Sequence, residues 1–250
     1  MALYGRTACA EVRTGPGWFA VRTGIDSNDL NGVVSTEVAV ASSALVADLQ
    51  SWFGSTPASW LTAEESPRLS EILVAAGARP ERSGSWSGRP VPLRRHTRRV
   101  DVEIVRVREE AQLDSWLAVA ERCGWIEGDE DRAARRGLYC DVGLDHSGLS
   151  HWLALEQGQP VGFATSHLED GVVDLCNLAV LDSHRRRGIG SSLVRARLAD
   201  AQAHGVRTAV SAPSPDGWRL QKALGFVSVP VRPDRCFYLP GKPAARPGSA

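Results

Sequence analysis

The chain has no surplus of charge of either sign: 29 lysines and arginines stand against 29 aspartates and glutamates in 250 residues. That balance excludes a global field able to recruit nucleic acid or an anionic membrane, so any polyanion must be held locally. No apolar run approaches the roughly 18 residues that a membrane span needs. The opening MALYGRTACAEVRTG lacks the apolar stretch of a signal peptide, and a cytoplasmic protein is expected. There is no CxxC pair. The five cysteines, Cys9, Cys123, Cys140, Cys176 and Cys236, are scattered and odd in number, which argues against a zinc site or a disulfide framework and predicts reduced, mostly buried thiols. The histidines show no HExxH spacing, and His184 beside three arginines suits a cation poorly, so no metal is expected.

What is present is an α/β pattern, met twice. Strands are predicted at Trp18–Arg22, Gly32–Thr36 and Ser59–Leu61, with helices over about Ser43–Phe53 and Ser66–Ala76. RPVPLRRHTRR, residues 89–99, has two prolines and no apolar period and reads as a basic linker. A second unit follows. It runs strand (Val102–Val107), helix (Glu109–Arg122), acidic turn, helix (Asp129–Leu138), strands at Trp152–Glu156, Pro160–His167 and Val172–Val180, helix to about His204, strand (Arg207–Ser211), helix to Leu224 and a last strand from Phe226. The expected division is 1–90, a linker 91–100, 101–240 and a disordered tail 241–250.

The two units echo one another in order. WFAVRTG at 18–24 parallels WLALEQG at 152–158, NGVV at 31–34 parallels DGVV at 170–173, and SPRLSEILVAAGA at 66–78 parallels SPDGWRLQKALGF at 214–226. A tandem repeat is the reading these matches support.

The most informative stretch is SHRRRGIGSSL, Ser183 to Leu193. A strand ends near Val180, an arginine-rich turn follows, and a helix starts at Gly188 or Gly190. Such a turn points backbone N–H groups and the positive end of a helix dipole at one spot. Glycine lets an anion approach the main chain, and arginine adds charge-assisted contacts to phosphate. A diphosphate cradle is the functional reading; a solvated basic helix cap is the plain one.

The surroundings decide between them. LCNLAVLDSHRRRGIGSSLVRARLADAQAHG, then a short strand and WRLQKALGF, resembles the acetyl-coenzyme A binding core of the GNAT superfamily of N-acetyltransferases over residues 101–240. Arg185, Gly188 and Gly190 fill its Arg/Gln-x-x-Gly-x-Gly/Ala pattern, Leu178, Ala179 and Val180 its preceding strand, and Gly225 and Phe226 its helix-ending pair. The resemblance implies a mixed, mostly antiparallel central sheet flanked by helices. It also implies acetyl-CoA as co-substrate, with its pyrophosphate on the amides of Arg186, Arg187, Gly188, Ile189, Gly190 and Ser191. The pantetheine arm would lie along Leu178–Val180, in a slot where that strand parts from Thr208–Ser211.

In that family an amine attacks the thioester directly. The resemblance places Asp174 as general base and a backbone N–H near Ala179 or Val180 on the carbonyl. The tyrosine that commonly protonates the thiolate is replaced by Gln221, which can donate a hydrogen bond but is no acid. Water, Tyr238 or Ser214 then substitutes, or the thiolate leaves unprotonated. In the first unit the corresponding turn holds Glu37, Val38 and Val40. A glutamate repels a diphosphate and valines block backbone approach, so that unit is expected to bind no cofactor and to serve structurally.

For the acceptor, the family implies the segment WIEGDEDR. Glu127, Asp129, Glu130 and Asp131 could attract a cationic small-molecule amine, or could simply suit the first turn of a helix. Trp125 and Trp86 could line the pocket or belong to the core. Two other functions stay open: an aminoacyl-tRNA-dependent transferase using Arg94, Arg95, His96, Arg98 and Arg99, and a non-catalytic sensor of CoA esters. Nucleic acid is disfavoured by the zero net charge. A repeat can satisfy within one chain contacts that others make by dimerising, so monomer and homodimer are both compatible.

Overall fold

The computed structural model describes residues 10–35, 42–62, 66–80, 86–91, 100–229 and 236–241. The chain divides into a first unit, Met1–Ser83 with Arg232–Ala250, and a second, Gly84–Val231. In chain order the first contributes β1 (Glu11–Gly15), β2 (Trp18–Arg22), β3 (Gly32–Ser35), α1 (Ser43–Phe53), β4 (Ala58–Thr62), α2 (Pro67–Ala75) and β5 (Arg79–Pro80). The second contributes β6 (Trp86–Pro90), β7 (Glu103–Arg106), α3 (Glu110–Arg122), α4 (Gly128–Val142), β8 (Leu149–Glu156), β9 (Gln159–Glu169), β10 (Val172–Val180), α5 (Ile189–Ala203), β11 (Thr208–Ser211), α6 (Pro215–Ala223) and β12 (Val227–Val229). The last strand, β13 (Cys236–Leu239), returns to the first unit.

The first unit's sheet runs β1-β2-β3-β4-β13-β5, antiparallel except for the β3–β4 pair. Its hairpin turns on Pro16 and Gly17, the latter at φ 73, the type II arrangement that proline followed by glycine favours. Trp60, Phe53, Leu49, Leu69, Leu73 and Phe237 form its core. The second sheet runs β12-β6-β11-β10-β9-β8-β7, antiparallel except for β10–β11. Leu198, Val194 and Ala201 of α5 pack against Val173 and Leu175 of β10 and Ala209 of β11. Trp116 of α3 meets Phe163, Tyr139 and His151, each ring pair edge-on.

Most helix starts are closed by side chains that the sequence supplies. The hydroxyls of Ser42, Ser66 and Ser214 accept first-turn amides of α1, α2 and α6 at 3.1, 3.1 and 3.2 Å. Glu109 and Gln112 form a capping box on α3. α5 differs: its cap is Gly188, left-handed and without a side-chain hydrogen bond.

The mixed, mostly antiparallel sheets flanked by helices match the expected fold class, but the expected boundaries are crossed in both directions. Trp86–Pro90, divided between a first domain and a linker in the sequence reading, is a strand hydrogen-bonded between β11 and β12. Cys236–Leu239, assigned to the second domain, lies between β4 and β5. A strand joins whichever sheet has an unpaired edge and an apolar layer to cover, and neither is set by sequence proximity. Pro90 sits at a strand end, where its missing N–H is tolerated. The cysteines Cys123, Cys140, Cys176 and Cys236 are half-buried rather than enclosed. Most of the expected basic linker (92–99) and tail (242–250), and the turn holding Glu37, Val38 and Val40, lie outside the described residues.

Candidate active site

Downstream of β10 the chain makes a short 3-10 turn, Asp182–His184, then Arg185, Arg186 at φ 65 and Gly188 at φ 91 before α5 begins. Two left-handed residues so close together form a concave nest of N–H groups. The hydrogen bond from Ser192 N–H to the Gly188 carbonyl, 3.0 Å, belongs to the first turn of α5, so the amides from Arg186 to Ser191 precede the helical ladder. No side chain caps this helix start, and Arg186 and the 188–191 segment line a cleft of about 570 Å³ together with Leu178, Ala179, Val180 and Arg185.

The three arginines divide their work. Arg185 donates through Nε to the Val180 carbonyl at 3.0 Å and pairs with Asp182 at 2.8 Å, which fixes the turn to the end of β10. Arg186 lines the cleft. Arg187 is absent from the lining and forks onto the Glu156 carboxylate, which His184 also approaches at 3.4 Å. Arg187 therefore anchors the loop to β8 rather than reaching the cleft; a partner 31 residues away gave no signal in the motif.

The lip of the cleft is β10. Its backbone pairs with β11 only through Val172, Val173 and Asp174; beyond that, the Ser211 hydroxyl donates to the Leu175 carbonyl at 2.9 Å. The backbone ladder between the two strands thus ends at Asp174 and Val210. On the other side, the β9–β10 register shifts between Cys176 and Ala179, with Asn177 at φ 45. This bulge, which the sequence reading missed, turns the following main chain toward the cleft. Asparagine among apolar residues was the available signal, because it tolerates the left-handed region.

Asp174 stands three residues before the bulged Asn177, opposite His167 of β9 and Val210 of β11. Burial pushes its carboxyl up to about 6, against the opposing pull of the Arg197 guanidinium. Burial likewise lowers the His167 imidazole. An acid half ionised near pH 6 on a half-buried strand is suited to proton transfer.

Two candidate proton donors are elsewhere. Gln221 is 7% exposed, and its amide is taken up within the protein: Nε2 donates to Ser211 Oγ at 2.8 Å and Oε1 accepts from Ser87 Oγ. It braces β6 and β11 and does not line the cleft. Tyr238 lies on β13 in the first unit's sheet, with the Arg79 guanidinium 5.9 Å from its ring centroid. Ser214 lines the cleft but serves as the cap of α6. We expect Gln221→Leu to lower unfolding free energy by about 1–3 kcal/mol, because two buried hydroxyls lose a partner. Urea denaturation measures this; unchanged stability would mean the network carries no weight.

Of the acceptor candidates, Trp125 is 46% exposed and lines the cleft. Glu127 caps α4, and Asp129 and Glu130 follow in its first turn; all three are exposed and outside the lining. Asp131 turns inward, accepting from the Glu127 amide at 3.2 Å and from Arg135 at 2.8 Å. The helix start accounts for this acidity. Trp86 is in β6, away from the lining. The far wall, unanticipated except for Ser214, is α6, with Asp216, Gly217, Arg219 and Leu220. No group of His, Cys, Asp and Glu able to hold a metal occurs among the described residues, and no described helix is long and apolar enough to cross a membrane.

Comparison with known proteins agrees with this geometry. Residues 110–226 match the Acetyltransferase (GNAT) family. A mycothiol acetyltransferase of Nocardiopsis dassonvillei is 37% identical over 95 residues, 34% of this chain, and the chain spans only 29% of that curated relative's length. A GCN5-related N-acetyltransferase from Kribbella flavida shares the fold, at 19% identity and TM-score 0.67 over 98% of this chain and 93% of that one. A second, from Sphaerobacter thermophilus, matches at 15% identity and TM-score 0.56 over 92% and 78%. The family match lies wholly within the second unit, which over residues 110–226 is similar to the GNAT acetyltransferases.

Proposed function

We propose that the chain is an acyl-CoA-dependent N-acetyltransferase that acetylates a primary amine of a small molecule. The observation that carries this reading is a single cleft in which uncapped amides at the start of α5 meet the unpaired lip of β10 just beyond Asp174. The nest from Arg186 to Ser191 suits a diphosphate, and the free edge of Leu178–Val180 suits an amide-bearing arm. When bound, acetyl-CoA supplies the thioester whose acetyl group the amine takes. Asp174 accepts the proton that the amine must lose, directly or through water. The amides after the bulge stabilise charge developing on the carbonyl oxygen. With Gln221 engaged in its network, the sulfur departs as thiolate, a fair leaving group near neutral pH.

The first unit reads as a repeat that has lost the cofactor site. Supporting this, both sheets carry a run of antiparallel pairs, two in the first and three in the second, then a parallel pair spanned by a helix, and then an antiparallel strand from elsewhere in the chain. Calorimetric titration with acetyl-CoA is expected to give one site per chain, lost in Arg185→Glu. A stoichiometry of two would overturn the repeat's assignment, and absence of binding would overturn the enzyme. The rival reading, a CoA-ester sensor, draws on the engaged Gln221; catalytic thiol release with any amine of a panel excludes it.

A further inference from the structure

Arg197, two turns into α5, is 1% exposed. It has no carboxylate within ion-pair distance among the described residues. Its donors go to main-chain carbonyls: Nε to Leu193 at 3.3 Å, and Nη1 to Thr165 at 2.8 Å and Cys176 at 3.0 Å. A charge enclosed without a counter-ion is costly, and burial lowers this guanidinium to about 10. Its neighbours Leu193, Val194, Leu198 and Ala201 on the same helix are buried and apolar, so packing alone gives no reason for an arginine here.

The location gives one. Thr165 and Cys176 are the last pair in register before the bulge, and the ladder resumes at Phe163 and Ala179. The carbonyl of Ala164, between the two registered pairs on β9, accepts from Trp116 Nε1 at 3.1 Å. Side chains from α5 and α3 thus take carbonyls where the bulge interrupts the ladder. Nη1 bridges the two strands at the bulge's edge. The ionisable groups in this region are Asp174 and Cys176 on β10, His167 on β9 and His151 on β8, the last kept neutral by burial, at about 3. β11 and β6 bring only Val210 and Gly88 into Asp174's row.

We propose that Arg197 is a positioning residue for acetyl transfer: it ties Thr165 to Cys176 so that the bulge presents its following amides to the thioester, and it places a buried positive charge near Asp174. This rests on the acetyltransferase reading above. The bridge sets rate rather than cofactor affinity, because the diphosphate nest lies at the other end of the loop. The charge favours the carboxylate, so its removal moves the acidic limb of the rate profile to higher pH.

The test compares wild type, Arg197→Met and Arg197→Lys in acetylation of an amine returned by a panel screen with acetyl-CoA. Arg197→Met is expected to lower kcat by about 30-fold or more, change KM for acetyl-CoA by less than about threefold, and raise the acidic limb by about one unit. Arg197→Lys is expected to return the limb to its wild-type position while leaving most of the rate loss, since an ammonium restores charge without the planar fork. A kcat within about threefold of wild type in Arg197→Met, or an unmoved limb, overturns the proposal. If Arg197→Met does not fold, Arg197→Lys decides: reduced kcat with a normal limb supports it, and wild-type kcat overturns it. Carbon-13 titration of the Asp174 carboxyl without acceptor gives a separate answer. A rise in Arg197→Met, absent in Arg197→Lys, supports the placement of the charge and no change in Arg197→Met overturns the proposal, even if no amine is acetylated and the enzyme reading itself fails.

Discussion

Asp174→Asn is expected to lower acetyl transfer by about 10²–10⁴-fold, the range by which a positioned general base accelerates a reaction, and at the same time to stabilise the protein at neutral pH. Both follow from one carboxyl that burial holds near 6 against an ordinary 3.8. Between those values the folded chain binds more protons than the unfolded chain. Its stability therefore falls as pH rises through the window, and the deficit is fully developed above about 6. Asparagine never ionises. The variant gains on wild type at neutral pH, and the gain fades as the pH drops below the ordinary carboxyl range. Activity has the opposite dependence, because only the ionised form accepts a proton: wild-type kcat/KM rises through about pH 6, and the residual rate of the variant lacks that limb. Urea denaturation at two pH values and a pH–rate profile check the two halves. Activity within about tenfold of wild type, or a surviving limb, removes Asp174 from the mechanism.

The opposition between those halves is the reason to place function at this carboxyl. A buried acid with no ion pair among the described residues weakens the fold and would be replaced readily if packing were its only task. Arg197 shows the same tension. Two groups that each cost stability stand beside one bulge, both outside the lining of the cleft, and the surrounding core of Val173, Leu175, Val194 and Leu198 offsets them.

Local features of this arrangement were legible in the sequence, and distant ones were not. The alternation and flanks of Val172–Val180 gave β10 its full extent, and the glycine spacing placed the turn that opens α5. The helices expected over Ser43–Phe53 and Ser66–Ala76 fall on α1 and α2. By contrast, Arg187 could not be separated from Arg185 and Arg186, since its partner Glu156 lies on another strand. β6 was obscured because Ser87, Arg89 and Pro90 look like linker residues; the burial of Ser87 and the pairing of the strand depend on β11 and β12, more than a hundred residues away. Gln221 was visible as a departure from the family's tyrosine, yet its actual role required knowing that Ser87 and Ser211 would meet it. Arg197 sits in a helix whose period marks an apolar face, and nothing in that period says that one position of the face receives a charge.

Gly188→Ala is the second large effect, with acetyl-CoA affinity expected to fall by about a hundredfold, or about 2.7 kcal/mol. Two costs coincide at this residue. Its φ of 91 lies where a side chain is strained, typically by about 1–2 kcal/mol, and a β-carbon there would stand 2.8 Å from Cγ2 of Val100. The chain relieves both by turning Gly188 out of the left-handed region, and that movement reorients the amides on either side of it, which are the groups proposed to hold the diphosphate. Gly190→Ala is the control. Its β-carbon meets only side-chain ends, Cδ2 of Leu220 at 3.2 Å and of Leu178 at 3.7 Å, and its backbone is helical, so affinity is expected to stay within about threefold. Calorimetry on both variants separates conformation from crowding. Loss at 188 alone means that the cradle is a backbone conformation which only glycine holds without strain. Equal loss at both would mean that cleft width is the requirement, and wild-type binding in Gly188→Ala would mean that the amides of this loop are not what acetyl-CoA recognises. Arg186 already carries a left-handed backbone with a full side chain, so the loop tolerates that strain once; a second strained residue two positions away, with Val100 against it, is what the nest has no room to absorb.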